Sequence, residues 1–272
     1  MRLGTVQVGS ETRAFRQDSE GTAYYEFPNV SALLAMDNWI DLPTTPGAEP
    51  KPEDLVNPTP NPRKIICVGL NYHDHAEEVG KETPEYPTLF SKVATSLVGP
   101  RDDIILPTVS TQIDWEVELV VVIGKRIRQA DMASARDAIL GYTMLNDVSV
   151  RDWQRRTTEW FQGKNFDAMS PIGPVIVTAD ALDPRDGLTL ETIVNGKIEQ
   201  SGNTADMIFG VDELVVYVSQ FLTLEPGDLI ATGTPAGVGF VRTPPIFLKP
   251  GDHVVTRIDG IGELINTARS ED

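Results

Sequence analysis

One cysteine, Cys67, and three histidines, His73, His75 and His253, are all that the 272 residues hold of the softer metal ligands. That scarcity excludes internal disulfides and thiolate clusters, serves zinc poorly, and points to a cytoplasmic protein. Cys67 itself lies in "KIICVGL", where a place in the core is the simplest reading. Long apolar runs are missing too. No stretch approaches the roughly 20 residues of a membrane-spanning helix, and the opening "MRLGTVQVGSETRAF" lacks the basic and then apolar layout of a signal peptide. Positive charge is also short. Lys and Arg number 23 against 40 Asp and Glu, and the net charge of −17 opposes binding to nucleic acid or to an anionic membrane. An acidic substrate meets the same field, so local cations or a bound metal would have to overcome it.

The length suits one large or two unequal domains. Residues 42–64, "LPTTPGAEPKPEDLVNPTPNPRK", carry seven prolines in 23 residues. Such a stretch forms neither a packed helix nor a central strand and reads as an extended connector. Residues 1–60 are therefore expected to be a small N-terminal domain with its connector, and 61–272 the main domain. The first part holds short β-like runs, "LGTVQV" and "AYYEFP", and a short helix around "VSALLAM".

In the main domain "KIICVGL", "IDWEVELVVVIG", "GYTMLNDVSV", "GDLIATG" and "HVVTRIDGIGELIN" read as strands. "NYHDHAEEVG", "MASARDAI" and "VDELVVYVSQFL" read as helices, the first ending at Gly80. "LTLETIVNGKIEQSG" alternates on either side of Asn195-Gly196, a strong hairpin signal. Strands dominate and the helices are scattered without a regular βαβ alternation, so the fold class is α+β and β-rich.

Within residues 113–124, Glu116 and Glu118 share one face of the strand, while Val117, Leu119 and Val121 form the other. Two adjacent carboxylates repel, and burial without partners would cost several kcal/mol each. Either that face is solvated at a sheet edge or the two share a cation. Asp147, at the end of an apolar run in "GYTMLNDVSV", is the candidate third ligand, although it is equally suited to cap the turn that follows. Three carboxylates completed by water suit a hard cation such as Mg²⁺, Mn²⁺ or Ca²⁺. On a helix, His75 and Glu78 stand three apart on one face. A carboxylate beside an imidazole fixes its tautomer and raises its basicity, as a general base requires. An ordinary surface pair has the same spacing, and an H-x-H metal pair lacks the further histidines it needs. Lys164, in "WFQGKNFDAMSPIGP", could neutralise a carboxylate ligand or a developing enolate, or simply lie in a surface loop. "ATGTPAGVG" offers backbone N–H groups and Thr234, but has no P-loop lysine, so nucleotide binding is unsupported.

Taken together, "CVGLNYHDHAEE", "DWEVELVVVIGK", "GYTMLNDVSVRDWQ", "GKNFD", "GNTADMIFGVDELVVYVS" and "LEPGDLIATGTPAGVG" resemble the fumarylacetoacetate hydrolase (FAH) family, of the C-terminal catalytic domain type. The motifs occur in the family's order, from about residue 63 to 268. The resemblance implies a mixed β-sandwich roll, usually in a homodimer. It implies that Glu116, Glu118 and Asp147 hold the metal and that His75 and Glu78 form a water-activating dyad on a segment that can order as a lid. Lys164 matches the active-site lysine. Arg151, Gln154 and Thr234 fall in motifs that line the substrate site, and Lys92 in "LFSK" matches a position that can approach the substrate. His73 stands where many relatives have a small residue and is given no role.

The expected function is a metal-dependent hydrolase that cleaves a carbon–carbon bond in an acylpyruvate-like 2,4-dioxo acid, of the fumarylpyruvate or fumarylacetoacetate type met in aromatic catabolism. The metal would chelate the small-molecule 2-oxo acid, His75 would activate water, and a pyruvate enolate would leave with help from Lys164. The alternative keeps the site and changes the reaction to decarboxylation or isomerisation of 2-oxo or 2-hydroxymuconate-type diacids. A third possibility is a non-catalytic binder of divalent ions or 2-oxo acids, which the full acid–base set argues against.

Overall fold

In the computed structural model, which describes residues 1–271, the strand Val117–Ile123 is buried at every position. Val117, Leu119, Val121 and Ile123 belong to one core cluster, and Val120 and Val122 to another on the opposite face. A strand that is buried on both faces must lie inside a sheet covered on both sides. This one pairs antiparallel with Ile139–Asn146 on one edge and with Leu229–Ala231 on the other.

These strands are the middle of a 12-stranded sheet. Ten of its strands form a path, Thr44–Gly47, Gly21–Tyr25, Glu11–Asp18, Arg2–Val8, Ser170–Thr178, Ile139–Asn146, Val117–Ile123, Leu229–Ala231, Ile65–Gly69 and Thr88–Lys92, and off it Leu55–Val56 pairs with Arg2–Val8 and Leu97–Val98 with Ser170–Thr178. Leu229–Ala231 and Ile65–Gly69 are parallel, so the sheet is mixed. A second sheet of five strands supplies Leu190, Ile258 and Leu264 to the cluster that holds Val117 and Leu119, and the two sheets share that core. The β-rich α+β class expected from the sequence is the class observed. The hairpin also forms as expected, with Val194 opposite Lys197 and Asn195 and Gly196 at φ of 51° and 81°. Two successive positive φ values are what a two-residue type I′ turn demands.

The N-terminal strand Arg2–Val8 is hydrogen-bonded to Ser170–Thr178, so residues 1–60 extend the large sheet. The proline-rich stretch keeps to the margin, where Thr44–Gly47 is the terminal strand and carries Pro46. Among the described residues no helix is long and apolar enough to cross a membrane.

Two strands expected to be continuous are interrupted. The run 113–124 divides into Ile113–Asp114 and Val117–Ile123, and its neighbour into Ile139–Asn146 and Ser149–Val150. The Asn146 side chain takes the Glu116 N–H at 3.0 Å, and the Asp147 N–H donates to the Glu116 carbonyl at 2.8 Å. These bonds divert the ladder where the acidic residues lie.

Candidate active site

The interruption brings Glu116, Glu118 and Asp147 together, with one carboxylate oxygen from each within 4.8 Å of the others. Their exposures of 5%, 1% and 0% exclude a solvated sheet edge. Three cations serve this floor. Lys164 Nζ donates to Glu116 at 2.6 Å and to Asp147 at 2.7 Å, and Lys92 Nζ donates to Asp147 at 2.8 Å. Arg151 reaches Glu116 at 2.7 Å and, through Nε, buried Asp114 at 2.9 Å. Glu118 has no ion pair among the described residues and accepts only the Gly233 N–H, at 3.0 Å.

The titrations follow from that inequality. Burial raises the Glu118 carboxyl well above the usual range, Asp147 and Glu116 push it further, and Lys164 and the Gly233 N–H oppose only in part. Burial works the same way on Glu116, but Lys164 and Arg151 outweigh it and hold that carboxyl at about 2. Burial would lower Lys164, yet Asp147 and Glu116 keep it above its ordinary value, so it stays protonated. An all-oxygen set with an uncompensated buried carboxylate fits a divalent hard cation, with Glu116, Glu118 and Asp147 as its holders.

Beside the floor stands the helix His73–Glu78. His75 Nδ1 lies 3.0 Å from Glu78 Oε2, which leaves Nε2 as the nitrogen free for proton transfer. Glu78 Oε1 accepts the Gly237 N–H at 2.8 Å, so the dyad is tied to the loop after Leu229–Ala231. His73 is exposed on the same helix.

His75, Glu116, Glu118, Arg151, Gln154, Lys164 and Thr234 all line one cavity of about 260 Å³. Glu78, Asp147 and Lys92 stand behind that lining and are joined to it by the bonds above. Arg151 and Gln154 lie on one short helix and Lys164 on another, with Arg151 donating to Gln154 Oε1 at 3.0 Å. Gly163 permits that packing, since a Cβ there would fall 2.4 Å from the Gln154 nitrogen. Thr234 Oγ1 is fixed by a 2.8 Å bond from Gln200.

Several residues of the site were not singled out from sequence. Asp114 binds Arg151 and also accepts the N–H groups of Gly239 and Phe240 at 2.7 and 3.0 Å. Its even position in the run that holds Glu116 and Glu118 was the available signal. Gln200, Lys81, Arg155 and the aromatic wall of Phe90, Trp160 and Phe240 gave none, because only the fold gathers them.

Two packed sheets with buried carboxylates and a His–Glu pair at one cavity make up a candidate enzyme active site. Residues 64–269 match the family model described as fumarylacetoacetate (FAA) hydrolase C-terminal, and the chain belongs to this family. It is 47% identical over 227 residues to oxaloacetate tautomerase FAHD2A, mitochondrial, of Bos taurus, covering 83% of this chain and 71% of that protein. A fumarylacetoacetate hydrolase from Exiguobacterium antarcticum superposes with a TM-score of 0.86 at 35% identity, over 100% of both chains. The 2-hydroxyhepta-2,4-diene-1,7-dioate isomerase of Mycobacterium marinum gives 0.80 at 35% identity, over 100% of this chain and 99% of that one.

The cytoplasmic location expected from cysteine usage is corrected by these findings, since the Bos taurus relative is a mitochondrial protein. A lone cysteine reports the absence of disulfides, which a reducing organelle interior shares with the cytosol.

Proposed function

We propose that the protein is a divalent-metal-dependent isomerase that interconverts the keto and enol forms of a 2-oxo diacid such as oxaloacetate. The alternative set out from the sequence is decarboxylation or isomerisation of such diacids; the keto–enol step is taken from the name of the Bos taurus relative, which with that of the Mycobacterium marinum isomerase favours isomerisation over acylpyruvate hydrolysis. The observation that carries it is the uncompensated Glu118 on the floor of a small cavity that also receives His75. A cation held by Glu116, Glu118 and Asp147 would supply Lewis-acid stabilisation of negative charge on the 2-oxo oxygen.

The protein's own groups do the rest. His75 Nε2 takes a proton from C3 and delivers it to the 2-oxo oxygen, so one C–H bond breaks, one O–H bond forms and nothing leaves. Glu78 fixes the tautomer and stabilises the imidazolium in between. Lys164, held protonated, contributes charge and cannot serve as the base. Arg151, Gln154 and Thr234 orient the acid, and Lys92 keeps Asp147 in place.

Proton–deuterium exchange at C3 of oxaloacetate, followed by NMR with Mg²⁺-loaded protein, tests the proposal. Wild type should accelerate exchange, chelation should abolish the effect, and His75→Ala should slow it by about 10²-fold or more. The same dyad could activate water, and the Exiguobacterium antarcticum relative is a hydrolase, so acylpyruvate cleavage is assayed in parallel. Cleavage that depends on His75, with no acceleration of exchange, would restore the hydrolase reading.

A further inference from the structure

Five cationic side chains other than histidine meet at this cavity or just behind it, and they fall into two groups. Lys92, Arg151 and Lys164 are buried and each contacts a carboxylate. Lys81 and Arg155 line the cavity, are exposed, and have no acidic partner within ion-pair distance among the described residues. Other exposed lysines and arginines also lack an acidic partner among the described residues, and what sets these two apart is that they line the cavity. The carboxylate triad is buried while these two are exposed, so the triad forms the floor and the cations the mouth.

Both are anchored. The helix His73–Glu78 ends in a Schellman motif, with the Gly80 N–H donating to Glu77 at 3.0 Å and the Lys81 N–H to Ala76 at 2.9 Å. Gly80 takes φ of 65°, which places Lys81 directly beyond the helix that carries His75. Arg155 donates through Nε to the Arg151 carbonyl and through Nη2 to Gln112 Oε1, each at 3.2 Å. Its guanidinium lies 5.5 Å from the Phe240 ring centroid, which leaves Nη1 uncommitted. Between floor and mouth the wall is apolar, with Leu70, Val79, Phe90 and Trp160.

We propose that Lys81 and Arg155 are the specificity residues that select the distal carboxylate of the 2-oxo diacid, which is then held at both ends. The inference rests on the 2-oxo diacid reading above. An acid with a neutral tail would leave both cations solvated and gain nothing from them. A fixed guanidinium is suited to a planar carboxylate, and the apolar wall accommodates the carbons between the two acid groups.

The test compares oxaloacetate with 2-oxobutanoate, which has a methyl group where oxaloacetate has its distal carboxylate. Calorimetric titration of Mg²⁺-loaded protein with each acid is paired with C3 exchange by NMR. Wild type should bind the diacid more tightly. Arg155→Gln and Lys81→Gln should each cut that preference by about tenfold, as expected for one lost charge-assisted contact, and Arg155→Lys should retain more of it than Arg155→Gln. A preference unchanged in the folded double variant, with exchange intact on both acids, would overturn the inference and leave the isomerase reading standing. Tight, Arg155-dependent diacid binding without exchange would support the anchor and sink that reading. Failure of oxaloacetate to bind would overturn both.

Discussion

Four buried carboxylates, Asp114, Glu116, Glu118 and Asp147, meet three buried cations, Lys92, Arg151 and Lys164, and Glu118 is left with one backbone N–H. Its raised titration point means that the fold favours the protonated form. The stability this contributes is complete below the ordinary value of 4.5 and is lost as pH rises through the folded-state value. Glu116 behaves oppositely, its contribution being present above 4.5 and lost only as pH falls through about 2. Metal-free protein should therefore lose stability above pH 4.5 on account of Glu118. Because a ligating carboxylate must be ionised, the rise in Tm produced by Mg²⁺ or Mn²⁺ should grow as pH increases from about 5 to about 8. Glu118→Gln should flatten the metal-free decline and abolish the metal response. Thermal melts across that range with and without the cation would show it, and a variant as responsive to Mg²⁺ as wild type would remove Glu118 from the ligand set.

At the scale of the element, the helix His73–Glu78 has six residues, too few to persist in isolation. It is held by tertiary bonds, from the Asp74 N–H to Asp206 at 3.0 Å and from the Gly237 N–H to Glu78 at 2.8 Å. Gly237 adopts φ of 106°, and a Cβ there would lie 2.4 Å from the Glu199 carbonyl oxygen. Gly237→Ala should shift the loop and release Glu78, lowering the C3 exchange rate by about 10²-fold through misplacement of His75. Hydrogen exchange should accelerate over residues 73–81. Unchanged protection there would mean that the helix is fastened by its other contacts alone.

Local signals carried much of this arrangement. The alternation in 117–123, the Asn195-Gly196 turn and the three-residue spacing of His75 and Glu78 each depend on neighbours in sequence. The break at Trp115 and Glu116 does not, because it is made by the side chain of Asn146, 30 residues away. Lys81 and Arg155 read as ordinary surface charges until the fold sets them at one cavity.

The whole molecule puts the first 60 residues in a different light from the proline-rich connector. We propose that it assembles as the homodimer implied by family resemblance, which light scattering of the intact protein would read as twice the 29.8 kDa chain mass. Within one chain, Leu3, Ala14, Tyr25, Val30, Leu33 and Leu34 share a core cluster with Ile65, Cys67, Val120 and Val122. Val120 and Val122 share the face of the strand that presents Glu118, so N-terminal packing covers the stretch of that face next to the candidate metal site. Leu33 is fully buried, and Leu33→Ala should cost about 2–5 kcal/mol by lost burial and an unfilled cavity. If the segment and the main domain form one cooperative unit, urea should unfold the intact chain in a single transition, coincident by tryptophan fluorescence and far-ultraviolet circular dichroism. Leu33→Ala should then lower the midpoint of that whole transition, and residues 61–272 expressed alone should neither fold nor gain stability from Mg²⁺. A truncated chain that melts cooperatively and responds to Mg²⁺ would instead make the N-terminal strands a dispensable cover on an autonomous catalytic domain.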